Sequence, residues 1–333
     1  SPDPGAGGLS SERSLVARDA RVEGFLRHLR SERQASPHTL SGYLIDLTQF
    51  ASYAWFEHGR RDCAWEAVQP HQARNFIVRL NRQGLARTSL NRKTSSLRSF
   101  YRYLVREGVV AANPFVTVPT SKAPRRLPGV FDPGQAERLL AAPEAYWRRH
   151  AEAAGASAEP AAALAGVRDR ALIEVLYSAG LRISEAASLD VGDIDLSTGL
   201  FRVRGKGGKE RLCVLGAPAM AAVTAYLRQR CGLGLGGSAA AEPLFVNHRG
   251  GRLTARSMQR SFKLYLREAD LPADYTPHRL RHSFATHLLA AGADLRSVQE
   301  MFFYNSPSTT EIYTHVDAQR LKDAYLKAHP RAR

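Results

Sequence analysis

Four short segments in the second half of the chain constrain it more than any other feature. They cover residues 180–185, 204–207, 278–282 and 309–315, and read GLRISE, RGKG, HRLRH and TTEIYTH. Together they supply Arg182, Lys206, His278, Arg281 and Tyr313. Side chains of these types can hold a phosphodiester, attack it and protonate the leaving oxygen without a metal. No segment is specific alone, but their order and spacing together are.

The charge of the chain points to a polyanionic partner. Its 333 residues carry 47 Lys and Arg against 31 Asp and Glu, a net charge of +16, and the excess is spread along the chain. DNA is the natural partner of such a protein, while a basic ribosomal or membrane-surface protein is the alternative. The length suggests two domains, and an apolar fraction of 44% is enough for ordinary cores.

The three cysteines, Cys63, Cys213 and Cys231, form no CxxC pair. Such a sparse set indicates a reducing compartment and argues against a disulfide framework or a metal site. No run approaches the roughly 18–20 apolar residues of a membrane span. The sequence therefore predicts a cytoplasmic protein, with no membrane contact and no metal. Residues 1–13 are rich in Gly, Ser and Pro and predict a disordered leader.

Residues 14–115 predict an N-terminal bundle of about four helices. Phe25, Leu26 and Leu29 form an apolar stripe at helical spacing, and Ser36-Pro37 is a helix start. Several arginines with interleaved Ser and Thr follow, among them Arg92 with its neighbour Lys93. Solvated helix faces would explain them, but phosphate contact is the favoured interpretation.

Residues 116–128 predict a linker between two domains. Three prolines stiffen the segment and remove helix propensity. Arg125 and Arg126 would suit a linker that crosses a DNA backbone.

A catalytic domain is predicted over residues 129–316, with a helix at 168–179 and a strand, turn and strand at 200–215. Two stretches rich in Ala and Gly, 151–165 and 232–241, read as surface insertions.

Strand alternation places Arg202, Arg204 and Lys206 on one face of the predicted hairpin. Such a face can lie along a phosphate backbone, and Lys206 near the tip could protonate a leaving oxygen. A solvated hairpin with charged edges is the plain alternative.

Pro277 opens a predicted helix on which His278 and Arg281 share a face, being three residues apart. The core face of this helix consists of Leu280, Phe284 and Leu288. His282 is interpreted as a neighbour of the site and His287 as structural. Tyr313 follows a capping box that runs from Ser308 to Glu311, which places it in a short helix.

The segments resemble the Arg, Lys, His-x-x-Arg and Tyr boxes of the tyrosine recombinases, the lambda-integrase family, and most closely the Xer type. The resemblance covers nearly the whole chain, including the 36–40, 113–114, 126–128 and 328–332 segments. It implies a mainly α fold with a small β-sheet, made of an N-terminal helical, SAM-like core-binding domain and a mixed α/β catalytic domain. It also implies that no cofactor is needed.

The resemblance assigns roles to individual residues. Arg182 and Arg281 would clamp the scissile phosphate, Lys206 would protonate the 5′ oxygen, and His278 would assist deprotonation of the nucleophile Tyr313. The family usually has Leu-Gly-His or Leu-Gly-Trp before the tyrosine helix, whereas this chain has Phe302-Phe303-Tyr304. Tyr304 would then stand in the catalytic set as a weaker phosphate donor, or would only pack beside Tyr313.

The implied partners are duplex DNA with a specific recombination site and further subunits in a homo- or hetero-tetramer. A second Xer recombinase and a septal DNA translocase belong to the Xer role of resolving chromosome or plasmid dimers, and mobile-element integration is the other role in the family. Residues 317–333 would form a C-terminal helix or tail for subunit contact, or pack on their own domain. A type IB topoisomerase or resolving telomerase, and a catalytically weakened DNA-binding relative, remain as alternatives.

Overall fold

The computed structural model describes residues 5–120, 129–155, 159–205, 210–236, 239–302 and 315–332. The chain divides into two compact units, residues 1–126 and 127–333, each with its own hydrophobic core. None of the helices in these described ranges is long and apolar enough to cross a membrane.

The first unit consists of helices packed around aromatic side chains. The helices are α1 (Gly5–Arg18), α2 (Ala20–Ser31), α3 (Pro37–Ala54), α4 (Pro70–Arg82) and α5 (Arg87–Arg106). Phe50 lies at the centre, and its ring contacts those of Trp65, Phe76 and Phe115. The predicted start of α3 is confirmed, because the Ser36 hydroxyl accepts a hydrogen bond of 3.2 Å from the Thr39 amide.

The prediction of a disordered leader over residues 1–13 is wrong from Gly5 onward, where α1 begins. Gly and Ser have low helix propensity, but α1 packs against α3 and buries Val16 completely. Arg13 also donates a 3.0 Å hydrogen bond to the Ser41 hydroxyl of α3. Tertiary packing of this kind supplies most helical stability in proteins and outweighs propensity here. With α1, the described residues of this unit form five α-helices, where about four were expected.

The first residues of the predicted linker pack on this unit. Val118 of the linker is buried in its core, as is Phe115 just before the linker, and Arg98 donates hydrogen bonds to the carbonyl oxygens of Phe115 and Val118, at 2.9 and 2.5 Å. Arg125 and Arg126 lie outside the described residues.

The second unit combines eight described helices with a small antiparallel sheet. The helices are α6 (Pro133–Ala154), α7 (Glu159–Ser178), α8 (Ile183–Ser188), α9 (Ala217–Gly232), α10 (Ala255–Glu268), α11 (Pro277–Ala290), α12 (Leu295–Phe302) and α13 (His315–Ala328). The strands β1 (Ile194–Asp195), β2 (Leu200–Arg204) and β3 (Glu210–Val214) lie in the order β1-β2-β3. The predicted hairpin is confirmed as β2 and β3.

One of the two predicted surface insertions is wrong. Residues 151–165 contribute to α6 and α7, and Ala162 and Leu164 are buried in the core. Alanine is the best helix former, so an Ala-rich stretch next to a helix extends it. The other stretch, 232–241, is exposed or half-buried wherever the structure describes it, as expected for a surface segment.

The C-terminal helix α13 packs on its own unit. Leu321 and Tyr325 are buried against Leu212 and Val214 of β3 and Phe284 of α11, among others. Leu326, the third residue of the predicted contact face, is partly exposed. Contact of this segment with a second subunit stays a prediction.

Candidate active site

Glu185 organises the centre of the site. Its side chain is buried at the start of α8, where Oε2 accepts a 2.9 Å hydrogen bond from the Arg182 amide. Its Oε1 accepts a 2.6 Å bond from the Arg182 guanidinium. A charge-assisted contact of this kind holds Arg182 in one orientation, while 43% of its side chain remains exposed.

Arg281 lies on the other side of this carboxylate. Its guanidinium donates to the carbonyl oxygens of Gly180 and Phe302, the latter at 3.0 Å, and lies 4.4 Å from the centre of the Phe302 ring. Burial, followed by the nearby charge of Arg211, lowers its pKa to about 10. Since this is well above neutral pH, Arg281 remains a cation. Nη1 lies 3.7 Å from Oε2 of Glu185.

A third arginine, Arg211, completes the cluster. Its side chain is entirely buried, Nη2 donates a 2.8 Å bond to Oε2 of Glu185, and Nε donates a 2.9 Å bond to the Met301 carbonyl. Arg211 was not predicted. The register of the hairpin could have indicated it. Arg211 lies opposite Val203, which faces inward, so the charged side chain of Arg211 has to enter the domain.

Three arginines surround one carboxylate in this cluster, which leaves a net charge of about two positive units. An excess of guanidinium groups, with Arg182 still partly exposed, favours a bound anion with several oxygens, such as a phosphodiester.

His278 lies in the first turn of α11, where the Thr276 hydroxyl caps the helix. It is exposed and lines a cavity of about 190 Å³ together with Ile183, Lys263 and Tyr275. Arg281 bonds to Gly180 and His278 shares this cavity with Ile183. The structure thus brings both residues of the predicted His-x-x-Arg pair to the segment that carries Arg182.

The other histidines of α11 differ in their surroundings. His282 is exposed. His287 is half-buried, with Nδ1 2.7 Å from the Tyr177 hydroxyl, and burial lowers its pKa. These contacts support the structural role predicted for His287, which stays a prediction.

The alternation of the hairpin is confirmed by its burial. Arg202 and Arg204 are exposed on β2, while Phe201 and Val203 are buried. Arg204 is paired with Glu210 across the hairpin, at 3.1 Å. Lys206, which follows β2 in sequence, lies outside the described residues.

The segment 303–314 also lies outside the described residues. It contains Tyr304, Tyr313 and the capping box from Ser308 to Glu311. The described chain stops at Phe302, whose ring and carbonyl both contact Arg281, and resumes at His315 in α13.

In the first unit, Arg92 and Lys93 share one partner, the buried Asp46. The Lys93 ammonium is 3.0 Å from Asp46 and is itself buried, whereas Arg92 makes two bonds of 2.5 and 2.8 Å and keeps 55% of its side chain exposed. The ion pair accounts for Lys93 without DNA. Arg92 is the member of the pair that a phosphate can reach.

Comparison with known proteins identifies the family. The model described as "Phage integrase family" matches residues 131–320, and the one described as "Phage integrase, N-terminal SAM-like domain" matches residues 22–108. The chain is 42% identical over 316 residues to the tyrosine recombinase XerC of Pelobacter propionicus, covering 94% of this chain and 96% of the relative. It is 41% identical to the XerC of Pelotomaculum thermopropionicum, covering 94% and 98%.

The chain belongs to the phage integrase family of tyrosine recombinases. It is a tyrosine-type site-specific recombinase, as its sequence predicts. Solved structures share the fold: the Tn1549 transposon integrase in complex with circular intermediate DNA has a TM-score of 0.61 at 19% identity, covering 90% of this chain and 98% of the integrase. A lambda integrase dimer bound to a core site has a TM-score of 0.60 at 17% identity, covering 89% and 97%. The predicted mainly α fold with a small sheet is confirmed.

Proposed function

We propose that this recombinase cuts and rejoins DNA through a covalent bond between Tyr313 and a 3′ phosphate. The cluster of Arg182, Arg281 and Glu185 is the observation that carries the proposal, because it offers two oriented guanidinium groups to one anion. Phosphoryl transfer depends mainly on positioning and on stabilisation of charge, so arginines can do what metal ions do elsewhere.

The reaction runs in two balanced steps. The Tyr313 oxygen bonds to phosphorus while the bond from phosphorus to the 5′ oxygen breaks. His278 assists removal of the phenolic proton, and Lys206 gives a proton to the departing 5′ oxygen. A 5′ hydroxyl of the partner strand then attacks the phosphotyrosine and releases Tyr313. The phosphodiester energy is kept in the covalent link, and no cofactor is consumed.

The Xer role is the favoured biological setting. The relatives named XerC match almost the whole chain, which supports resolution of chromosome or plasmid dimers in the cytoplasm by a tetramer on DNA. Mobile-element integration uses the same chemistry. A second recombinase and a septal DNA translocase would be partners only in the Xer role. A DNA-binding relative without activity would follow from the change at Tyr304, but Arg182, His278 and Arg281 are all retained.

Covalent trapping tests the nucleophile. The protein is incubated with nicked duplexes of randomised sequence, and adducts that survive denaturant are collected and sequenced, which also reveals the site. Tyr313→Phe should form no adduct yet bind the selected duplex like the parent, because one hydroxyl is lost. Tyr304→Phe is the matched control and should still form it. Adducts with Tyr313→Phe but not with Tyr304→Phe would mean that the nucleophile is Tyr304.

A further inference from the structure

Arg211 joins three separate elements of the second unit. It stands on β3, reaches the buried Glu185 of α8 through Nη2 and reaches the Met301 carbonyl of α12 through Nε. We propose that Arg211 is a positioning residue for strand cleavage, which fixes Glu185 and the end of α12 so that Arg182 and Arg281 face the scissile phosphate. The proposal rests on the roles given above to those two arginines.

The two oxygens of Glu185 bind different arginines. Its Oε1 is bound to Arg182 at 2.6 Å, and its Oε2 is bound to Arg211 at 2.8 Å, while Arg281 stays 3.7 Å away. A buried carboxylate oxygen that loses a charged partner seeks another, because an unsatisfied buried charge is costly. Without Arg211, Oε2 keeps only the uncharged amide of Arg182 among these donors, and Arg281, 3.7 Å away, is a cation that can take the place of Arg211. We expect Arg281 to turn toward Glu185 and away from the phosphate.

Two arginines also hold the C-terminal end of α12. The last carbonyls of a helix have no partner within the helix and carry the negative end of its dipole. Arg211 donates to Met301 and Arg281 donates to Phe302, so two cations cap this end. Residues 303–314, with Tyr304 and Tyr313, follow directly in sequence. Arg211 therefore fixes the point from which the nucleophile's segment starts.

The contacts at position 211 need the shape of an arginine as well as its charge. Arg211 uses Nε for Met301 and Nη2 for Glu185, two donors on a rigid plane. A lysine has one nitrogen on a flexible stem and does not reproduce this geometry. Arg211→Lys should keep the charge but lose the geometry, and Arg211→Met should lose both.

The test measures the rate constant of adduct formation at saturating protein, on the nicked duplex selected by covalent trapping. Misplacement of reacting groups by about 1 Å can cost about 100-fold in rate, and we expect a loss of that order for Arg211→Met, with a smaller loss for Arg211→Lys. Affinity for the duplex should stay at the parental value, so the defect lies in the chemical step and not in binding.

A second substrate separates positioning from stability. A methylphosphonate at the scissile position replaces one non-bridging oxygen by a methyl group and is neutral, so it depends less on the arginines. The fold-loss in the rate constant of adduct formation caused by Arg211→Met and Arg211→Lys should be smaller on this substrate. An equal loss on both substrates would overturn the proposal, since a general loss of folding affects both alike.

Arg230→Met is the matched control. Arg230 is another buried arginine of this unit, bonded to Glu242 at 2.6 Å and to the Pro243 carbonyl at 2.7 Å. The Arg230→Met variant should lose thermal stability but keep the parental rate constant of adduct formation at a temperature where it is folded. The proposal fails if Arg211→Lys cleaves at the parental rate or if Arg230→Met is equally slow. Absence of any adduct with the parent protein would instead contradict the proposed function.

Discussion

At the scale of residues, the site depends on charges held inside the domain. Glu185 and Arg211 are both buried, and Glu185 binds the partly exposed Arg182 while it is itself held by Arg211. Lys206 and Tyr313, which would bear the reacting protons, lie outside the described residues. Their roles are therefore best separated by chemistry.

The role of Lys206 can be separated from that of the arginines by changing the leaving group of the DNA substrate. A 5′-bridging phosphorothiolate needs no protonation on departure, so it should restore adduct formation by Lys206→Ala toward the parental rate. Arg182→Ala and Arg281→Ala should not be restored, because they stabilise the non-bridging oxygens. The measurement is the adduct yield with each substrate. Equal rescue of all three variants would remove Lys206 as the general acid.

His329 predicts a pH dependence of stability. Its pKa is lowered from 6.5 to about 3, mainly by burial. Its Nδ1 also accepts a 3.0 Å hydrogen bond from the Arg331 amide, which requires that this nitrogen carry no proton. The pKa is thus depressed in the folded state. As pH falls below about 6.5, His329 becomes protonated in the unfolded chain but stays neutral in the folded chain. The free energy of unfolding therefore falls, by at most about 1.4 kcal/mol per pH unit.

Urea unfolding at several pH values between 7.5 and 5 measures this slope. His329→Asn keeps an acceptor for the Arg331 amide and removes the titrating ring, so its slope should be shallower than the parental one. His287, whose pKa burial also lowers, contributes to the remaining slope in the same direction. Identical slopes for the two proteins would show that His329 does not titrate as described.

At the scale of elements, the C-terminal residues are fixed by close backbone approach. The Tyr325 hydroxyl lies 2.6 Å from the Ser178 hydroxyl, which accepts a 2.9 Å hydrogen bond from the Gly216 amide. The carbonyl of Arg331 packs directly over Gly216, where a Cβ would overlap it. Arg331 is also paired with the buried Glu174 of α7. The packing of α13 thus depends on a glycine 109 to 115 residues away from Tyr325 and Arg331 in sequence.

Gly216→Ala should destabilise the second unit by about 1–3 kcal/mol, because overpacking forces the C-terminal residues to shift. Gly232→Ala is its control. Gly232 is the last residue of α9, and an added Cβ meets no atom within 4 Å. That change should leave the midpoint of thermal unfolding unchanged or slightly raised. If both variants melt at the parental temperature, the close packing of Arg331 on Gly216 is not present in solution.

At the scale of the whole molecule, two units with separate cores share one chain and one excess of positive charge. Each unit is large enough to fold alone. Both the N-terminal unit, through Arg92 and its neighbours, and the second unit, through Arg202 and Arg204, are predicted to contact phosphates. The linker is predicted to add Arg125 and Arg126.

Segments 1–120 and 129–333 should each bind the selected duplex weakly, and the joined chain far more tightly, because linking raises the effective concentration of the second module. Affinity of the joined chain should fall steeply with salt through counterion release. Reversing the charge of Arg125 and Arg126 should weaken binding to all sequences alike. These are measured by titration at several salt concentrations. If one segment alone had the affinity and salt dependence of the whole chain, joint binding by the two units would be ruled out.

The sequence by itself determined the family, the helical first unit, the hairpin and the helix of His278 and Arg281. Each depends on short-range signals: apolar spacing, a proline in the first turn, strand alternation, and boxes of fixed composition. It failed at residues 5–13 and at 151–165, where Gly, Ser and Ala composition suggested a disordered leader and a surface insertion. Packing that buries Val16, Ala162 and Leu164 produces helices there instead.

Only the tertiary structure decided what holds the site. Arg211 lies 26 residues from Glu185 and 90 from Met301, and nothing local marks it as a partner of either. The tertiary structure also pairs Lys93 with Asp46, 47 residues away, whereas the sequence favoured contact of Lys93 with a DNA phosphate. A buried charge must find its partner wherever the fold places one, and that position depends on how helices and strands far apart in the chain pack together.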